Sequence, residues 1–131
     1  ASSIEFDEFT PNPVIHLRED QLHREKVGGT MRLGAYQCNL VKGSKAFEIY
    51  QTETISERHR HRYEFNNDYR EVIQKAGLKI SGLSPDGLLV EIVEYTELDF
   101  FVAVQFHPEF KSRPINPHPL FREFVKAAAK K

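Results

Sequence analysis

The chain has 131 residues, a formal net charge of −1, and 40% hydrophobic and 28% charged residues, a composition that suits one soluble domain with a useful core. The near-zero balance leaves no electrostatic footprint for nucleic acid or an anionic membrane, and the longest apolar runs, such as 100–104, fall far short of a bilayer-crossing helix. A single cysteine, Cys38, excludes an internal disulfide framework and a cysteine-rich zinc site. With no secretory pattern in ASSIEFDEFTPNP, it points to an intracellular, cytoplasmic setting.

Residues 1–13 read as irregular, and Pro13-Val14-Ile15-His16-Leu17 as a short strand before the charged stretch REDQLHREK. Gly28-Gly29 marks a turn into a strand over 31–41, weakened by Gly34. Ser44 is placed to cap a short helix running to Tyr50. Residues 57–65 alternate in character and read as extended. Asn67 opens a helix with Tyr69, Val72, Ile73 and Ala76 on one face, stopped by Gly77. Strands follow at 78–82, 88–95 and 100–106, the first two joined by the strong turn Ser84-Pro85-Asp86-Gly87. The short connections make these three strands antiparallel neighbours. Pro119 suits a helix start, and Leu120, Phe121, Phe124, Val125 and Ala128 form one apolar stripe along that helix. The pattern is a strand-rich α/β unit with a terminal packing helix.

Three stretches carry candidate chemistry. In His107-Pro108-Glu109 the proline restricts its neighbour to extended geometry, so residues 107 and 109 point to one side. Glu109 then holds one imidazole nitrogen of His107 and leaves the other free as a base; a solvated turn without a role is the competing reading. In Glu57-Arg58-His59-Arg60-His61-Arg62 an extended backbone puts three arginines on one face, suited to gripping a carboxylate or phosphate. His59 and His61 share the other face with Glu57, where a metal site completed by His107 and a plain charge-laced strand are alternatives. Gly28-Gly29-Thr30-Met31-Arg32-Leu33-Gly34 is neither a P-loop nor a dinucleotide fingerprint and reads as a tight turn entering a strand. No metal site is assigned.

Taken in order and spacing, GGTMRLG, ERHRHRYEFN, the SPDG–LLVEIVEY hairpin and FFVAVQFHPEFKSRP resemble the carboxyl-terminal part of the CTP synthase family. HPEF is widespread among class I glutamine amidotransferases, whereas GGTMRLG and RHRHRYE are narrower signals. The resemblance implies that residues 1–131 are the carboxyl-terminal part of a flavodoxin-like class I glutamine amidotransferase domain, with a mixed sheet, an antiparallel hairpin and a terminal helix. It implies hydrolysis of L-glutamine to supply ammonia for ATP-dependent amination of UTP to CTP. On this analogy His107 and Glu109 are the second and third members of a Cys-His-Glu triad, and Arg62 binds the glutamine substrate. The family's nucleophile sits on a glycine-flanked turn of the GxCxG kind, and no such turn occurs in this sequence. Cys38, in GAYQCNLV, reads as a structural cysteine.

The expectation is therefore a fragment that is inactive alone and is completed by an upstream half of the glutaminase domain and by a synthase domain. No cofactor is assigned to this chain. ATP and magnesium belong to the synthase domain by resemblance, as do GTP activation and a homotetramer to the whole enzyme. Another class I amidotransferase, a γ-glutamyl hydrolase, or a non-catalytic anion-binding module are the alternatives.

Overall fold

The computed structural model describes residues 1–17 and 31–130, so the Gly28-Gly29-Thr30 turn and the charged stretch before it lie outside the described residues. Strands β1 (Ser2–Ser3), β2 (Pro13–Leu17) and β5 (Tyr63–Phe65) form a small mixed sheet in the order β1-β2-β5, with β1 parallel and β5 antiparallel to β2. Strands β3 (Arg32–Leu40), β4 (Thr54–His61), β6 (Leu78–Leu83), β7 (Val90–Tyr95) and β8 (Val102–Val104) form a second sheet, antiparallel throughout, in the order β4-β3-β6-β7-β8. Helices α1 (Lys45–Tyr50), α2 (Arg70–Lys75) and α3 (Pro119–Ala129) complete the fold, with 3₁₀ turns at Asn67–Tyr69 and Pro108–Lys111.

Period-two alternation is clearest in β4. Ile55, Glu57 and His59 are buried, while Ser56, Arg58 and Arg60 are exposed. β3 pairs with it in continuous register from Arg32↔His61 to Asn39↔Thr54, so the arginine row lies on a long, firmly paired hairpin. The predicted strand 88–95 begins two residues late, at Val90. The reason is the turn before it: the Leu88 amide donates to Asp86 Oδ1 (3.0 Å) and the Leu89 amide to Ser84 Oγ (2.9 Å), which removes both from a ladder. The predicted strand 100–106 is likewise shorter, Val102–Val104, with further bonds from the Gln105 amide to β7 and from β7 to the Phe101 carbonyl.

The core lies between the larger sheet and helices α1 and α3. It consists of Cys38, Leu40, Ala46, Ile55, Ile92, Phe106 and Leu120, with Phe47, Ile49, Tyr50, Val102 and Val104 packed on it. Burying an aliphatic or aromatic side chain of this kind stabilises by about 1.5–3 kcal/mol. α1 is capped twice. Ser44 Oγ accepts from the Phe47 amide (3.0 Å), and the buried Glu94 carboxylate accepts from the amides of Lys45 (3.0 Å) and Ala46 (3.2 Å). A carboxylate is well placed at a helix N-terminus, where orphan amides and the helix dipole both favour negative charge. α3 is capped by His118, whose Nδ1 accepts from the Leu120 amide at 3.2 Å.

Two expectations change in detail. Of the apolar stripe on α3, Leu120 is buried, but Phe121, Phe124 and Val125 are exposed, with Phe124 touching the Phe100 ring edge-on at 5.5 Å. The helix over 67–76 begins as a 3₁₀ turn capped by Asn66, whose side chain accepts from the Asp68 amide, and Val72 on its apolar face stays exposed. Gly77 does stop it, at φ +102.

Gly82 sits beside a register irregularity in β6, and a Cβ there would meet Ile92 Cγ1 at 2.6 Å and Cys38 Sγ at 2.9 Å. Neither neighbour is free to move, since both are core residues. Gly82→Ala is expected to destabilise by about 1–3 kcal/mol through overpacking. The urea midpoint should fall at unchanged slope; a midpoint equal to the parent's would mean the site relaxes without cost.

Candidate active site

β4 and β8 are opposite edges of the five-stranded sheet. The chain leaving β8 nevertheless returns to β4. The Gln105 amide donates to the Glu91 carbonyl (2.9 Å), Phe106 enters the core, and the His107 amide donates to the Arg58 carbonyl (2.9 Å). Past the end of β8 the chain thus crosses to the edge strand β4, and His107 stands against it. The tripeptide is not extended throughout, as the sequence suggested. His107 alone is extended, at φ −111 and ψ 91, while Pro108 opens the 3₁₀ turn as its first residue.

The contact forms all the same, with His107 Nδ1 2.6 Å from Glu109 Oε1. Both groups are accessible, with side chains 38% and 53% exposed. The Glu109 carboxyl is held below the ordinary carboxylate range, first by its own backbone amide and then by His107. A carboxylate on Nδ1 favours the tautomer that carries its proton there, which leaves the Nε2 lone pair free. The Phe110 ring lies 5.4 Å from the imidazole.

Arg58, Arg60 and Arg62 are exposed, the first two on one face of β4. Arg62 is the single residue between β4 and β5, at the bend where the chain passes from one sheet to the other. With Arg60, His61, Tyr63, Gln105 and Met31 it lines an open cleft of about 670 Å³. Gln105 joins this cleft to the His107 segment, because its Nε2 donates to the Tyr63 carbonyl at 3.1 Å and it precedes His107 by two residues. The motifs read separately in the sequence are thus adjacent in space.

Beneath the arginines lies a buried polar layer that the sequence reading did not contain. Arg32 Nη1 reaches Glu64 Oε1 at 3.2 Å and Arg32 Nη2 reaches Glu91 Oε1 at 2.7 Å, with all three side chains at most 9% exposed. His61 Nε2 lies 2.9 Å from Glu64 Oε1. His59 is buried against Tyr36, His61 and Phe106, with Nδ1 3.7 Å from Glu91. Burial, then Arg32, and then the neighbouring His61 and His107 lower its pKa to about 3, so His59 is neutral at physiological pH. Glu57, on the same face, bonds His118 Nε2 (2.7 Å) and the Tyr50 hydroxyl (3.0 Å). Each histidine of the motif thus faces its own carboxylate. Among the described residues no group of three or more His, Cys, Asp or Glu is arranged to hold a metal ion.

Cys38 is fully buried in β3, where burial and then the Glu91 charge push its thiol up to about 12. The thiolate needed for nucleophilic attack is not available there.

The family model described as glutamine amidotransferase class-I matches residues 8–127. A CTP synthase from Caldanaerobacter subterraneus subsp. tengcongensis is 62% identical over 127 residues, covering 97% of this chain and 24% of that relative. A CTP synthase from Carboxydothermus hydrogenoformans is 60% identical over 130 residues, covering 99% of this chain and 24% of the relative. This chain therefore spans about a quarter of the length of the curated relatives it matches. Among solved structures, the glutaminase domain of Trypanosoma brucei CTPS with bound acivicin superimposes with a TM-score of 0.89 at 42% identity, covering 99% of this chain and 51% of that one. The fold and the sequence agree: the chain belongs to the class I glutamine amidotransferase family, in the part of it that CTP synthases carry as their glutaminase domain.

Proposed function

We propose that this chain supplies the base, its orienter and the carboxylate-binding arginine of a glutaminase within a CTP synthase. The observation that carries this reading is the 2.6 Å His107–Glu109 contact beside an arginine-lined cleft. His107 Nε2 accepts the proton of a cysteine thiol and then delivers it to the departing ammonia. It next activates water against the thioester, while Glu109 stabilises the imidazolium formed at each step. Arg62 grips the α-carboxylate of L-glutamine through a charge-assisted pair. The cysteine comes from residues other than those of this chain, because Cys38 is the chain's single cysteine and is buried and protonated. The released ammonia serves ATP-dependent amination of UTP in the synthase part. ATP with magnesium there, activation by GTP, a homotetramer and a cytoplasmic setting complete the reading, as the resemblance of the sequence motifs to the CTP synthase family implies.

The tests use the full-length polypeptide, assayed with L-glutamine and separately with ammonium as nitrogen source. His107→Ala should lower glutamine-dependent turnover by roughly 10²–10⁴-fold, and Glu109→Gln by less, with ammonium-dependent synthesis retained in both. A His107→Ala protein that still hydrolyses glutamine at the parent rate would reduce the motif to a turn.

Arg62→Ala should raise the KM for glutamine sharply, since truncating one member of a desolvated charge pair costs about 2–5 kcal/mol. Equal loss with ammonium would make the arginine structural. Cys38→Ser should leave glutamine turnover within about twofold, because a buried, protonated thiol takes no part in the chemistry. Loss by orders of magnitude would instead make Cys38 the nucleophile.

A further inference from the structure

A guanidinium on a solvent-exposed side chain must be aimed if it is to bind one carboxylate in one orientation. Arg62 has no ladder partner to aim it, because it stands at the bend between β4 and β5. What fixes that bend lies directly beneath it. His61 and Glu64, the residues that flank Arg62 and Tyr63, are joined across the bend at 2.9 Å through Nε2 and Oε1. The same Glu64 oxygen takes Arg32 Nη1 at 3.2 Å. Arg32 is the register partner of His61 on β3 and is itself held from behind by Glu91 on β7. Glu64 in turn pairs in register with His16 on β2. One carboxylate thus ties together the end of β4, the start of β5 and strand β3, and through Arg32 it reaches β7.

Stability does not account for this cluster. Buried ion pairs are often replaced by apolar residues at no loss, and here Glu64 Oε2 and His61 Nδ1 find no hydrogen-bond partner among the described residues. Incompletely satisfied buried groups are costly. What the arrangement does achieve is a single geometry for the one-residue bend at Arg62.

We propose that Glu64, clamped by Arg32 and bonded to His61, is a positioning group that aims Arg62 into the cleft for the carboxylate of the substrate. This rests on the reading of Arg62 as the glutamine-binding arginine. Arg32 and Glu64 are not among the residues that line the cleft, and they act through the backbone on either side of Arg62; His61, which also lines it, is joined to them through Glu64.

The full-length polypeptide tests this with three variants assayed on L-glutamine and on ammonium. His61→Ala should raise the KM for glutamine about tenfold while kcat stays within about twofold, the signature of lost binding common to ground and transition states. His61→Gln, which keeps a donor for Glu64, should recover most of that loss. Alanine at 61 leaves Glu64 short of a partner, so Glu64→Gln provides a second comparison that keeps the hydrogen bond and weakens the Arg32 clamp; its KM should rise by a smaller factor. Ammonium-dependent synthesis should match the parent in all three.

If Arg62→Ala raises the KM but His61→Ala and Glu64→Gln do not, the positioning role is wrong and the arginine aims itself. Parallel loss with both nitrogen sources would overturn it in favour of a general folding role. If Arg62→Ala itself leaves the KM unchanged, the failure lies with the glutamine reading of Arg62.

Discussion

The hydrogen bond from the His107 amide to the Arg58 carbonyl, 2.9 Å long, fastens the segment that follows β8 onto the edge strand β4. An edge strand otherwise offers unpaired backbone groups to any passing chain. Here the segment after β8 satisfies part of the β4 edge. This contact also decides what lies near what. Residues 58 and 107 are far apart in sequence, yet this bond sets the His-Pro-Glu turn against the arginine hairpin. Lys111 Nζ reinforces it by donating to the Ser56 carbonyl on the same strand.

Much of what the described residues bury is charged. Arg32, Glu64 and Glu91 form one buried cluster, while Glu57, Tyr50 and His118 form another. In the second, the tautomer follows from the partners. His118 Nδ1 accepts from the Leu120 amide, so Nε2 carries the proton and donates to Glu57. That one ring caps α3, reaches β4 and, through Glu57, meets the Tyr50 hydroxyl at the end of α1. Burial and then the Glu57 charge push the Tyr50 hydroxyl up, which keeps it a donor. These groups specify where elements sit relative to one another, a role for which polar contacts are better suited than interchangeable apolar ones.

Local chemistry was legible in the sequence wherever the partner lay within a few residues. The Ser44 cap, the stop at Gly77, the Ser84–Gly87 turn and the His107–Glu109 pair are all of this kind, and all are present. The alternation also foretold the exposed side of Arg58 and Arg60 on β4, whereas Arg62 falls at the bend beyond the strand. Glu91 and Glu94 were not legible. Three residues apart in LLVEIVEY, they fall on opposite faces of a strand, and a strand carboxylate is ordinarily solvated, but both are buried, one against Arg32 and the other on the α1 amides. A buried carboxylate is intelligible only with its partner, and these partners lie 59 and 49 residues away. His118 escaped notice for the same reason. The stripe on α3 shows the opposite failure, since helical periodicity marks an apolar face but not what covers it.

The central claim is that the arginine cleft reads the carboxylate of glutamine while His107 serves the amide. The most direct measurement compares ammonia release by the full-length polypeptide from L-glutamine and from 4-aminobutanamide, the same amide without its α-carboxylate. The account predicts a strong preference for glutamine in the parent, erased by Arg62→Ala, and loss of both reactions in His107→Ala. A preference that survives Arg62→Ala undiminished would contradict it.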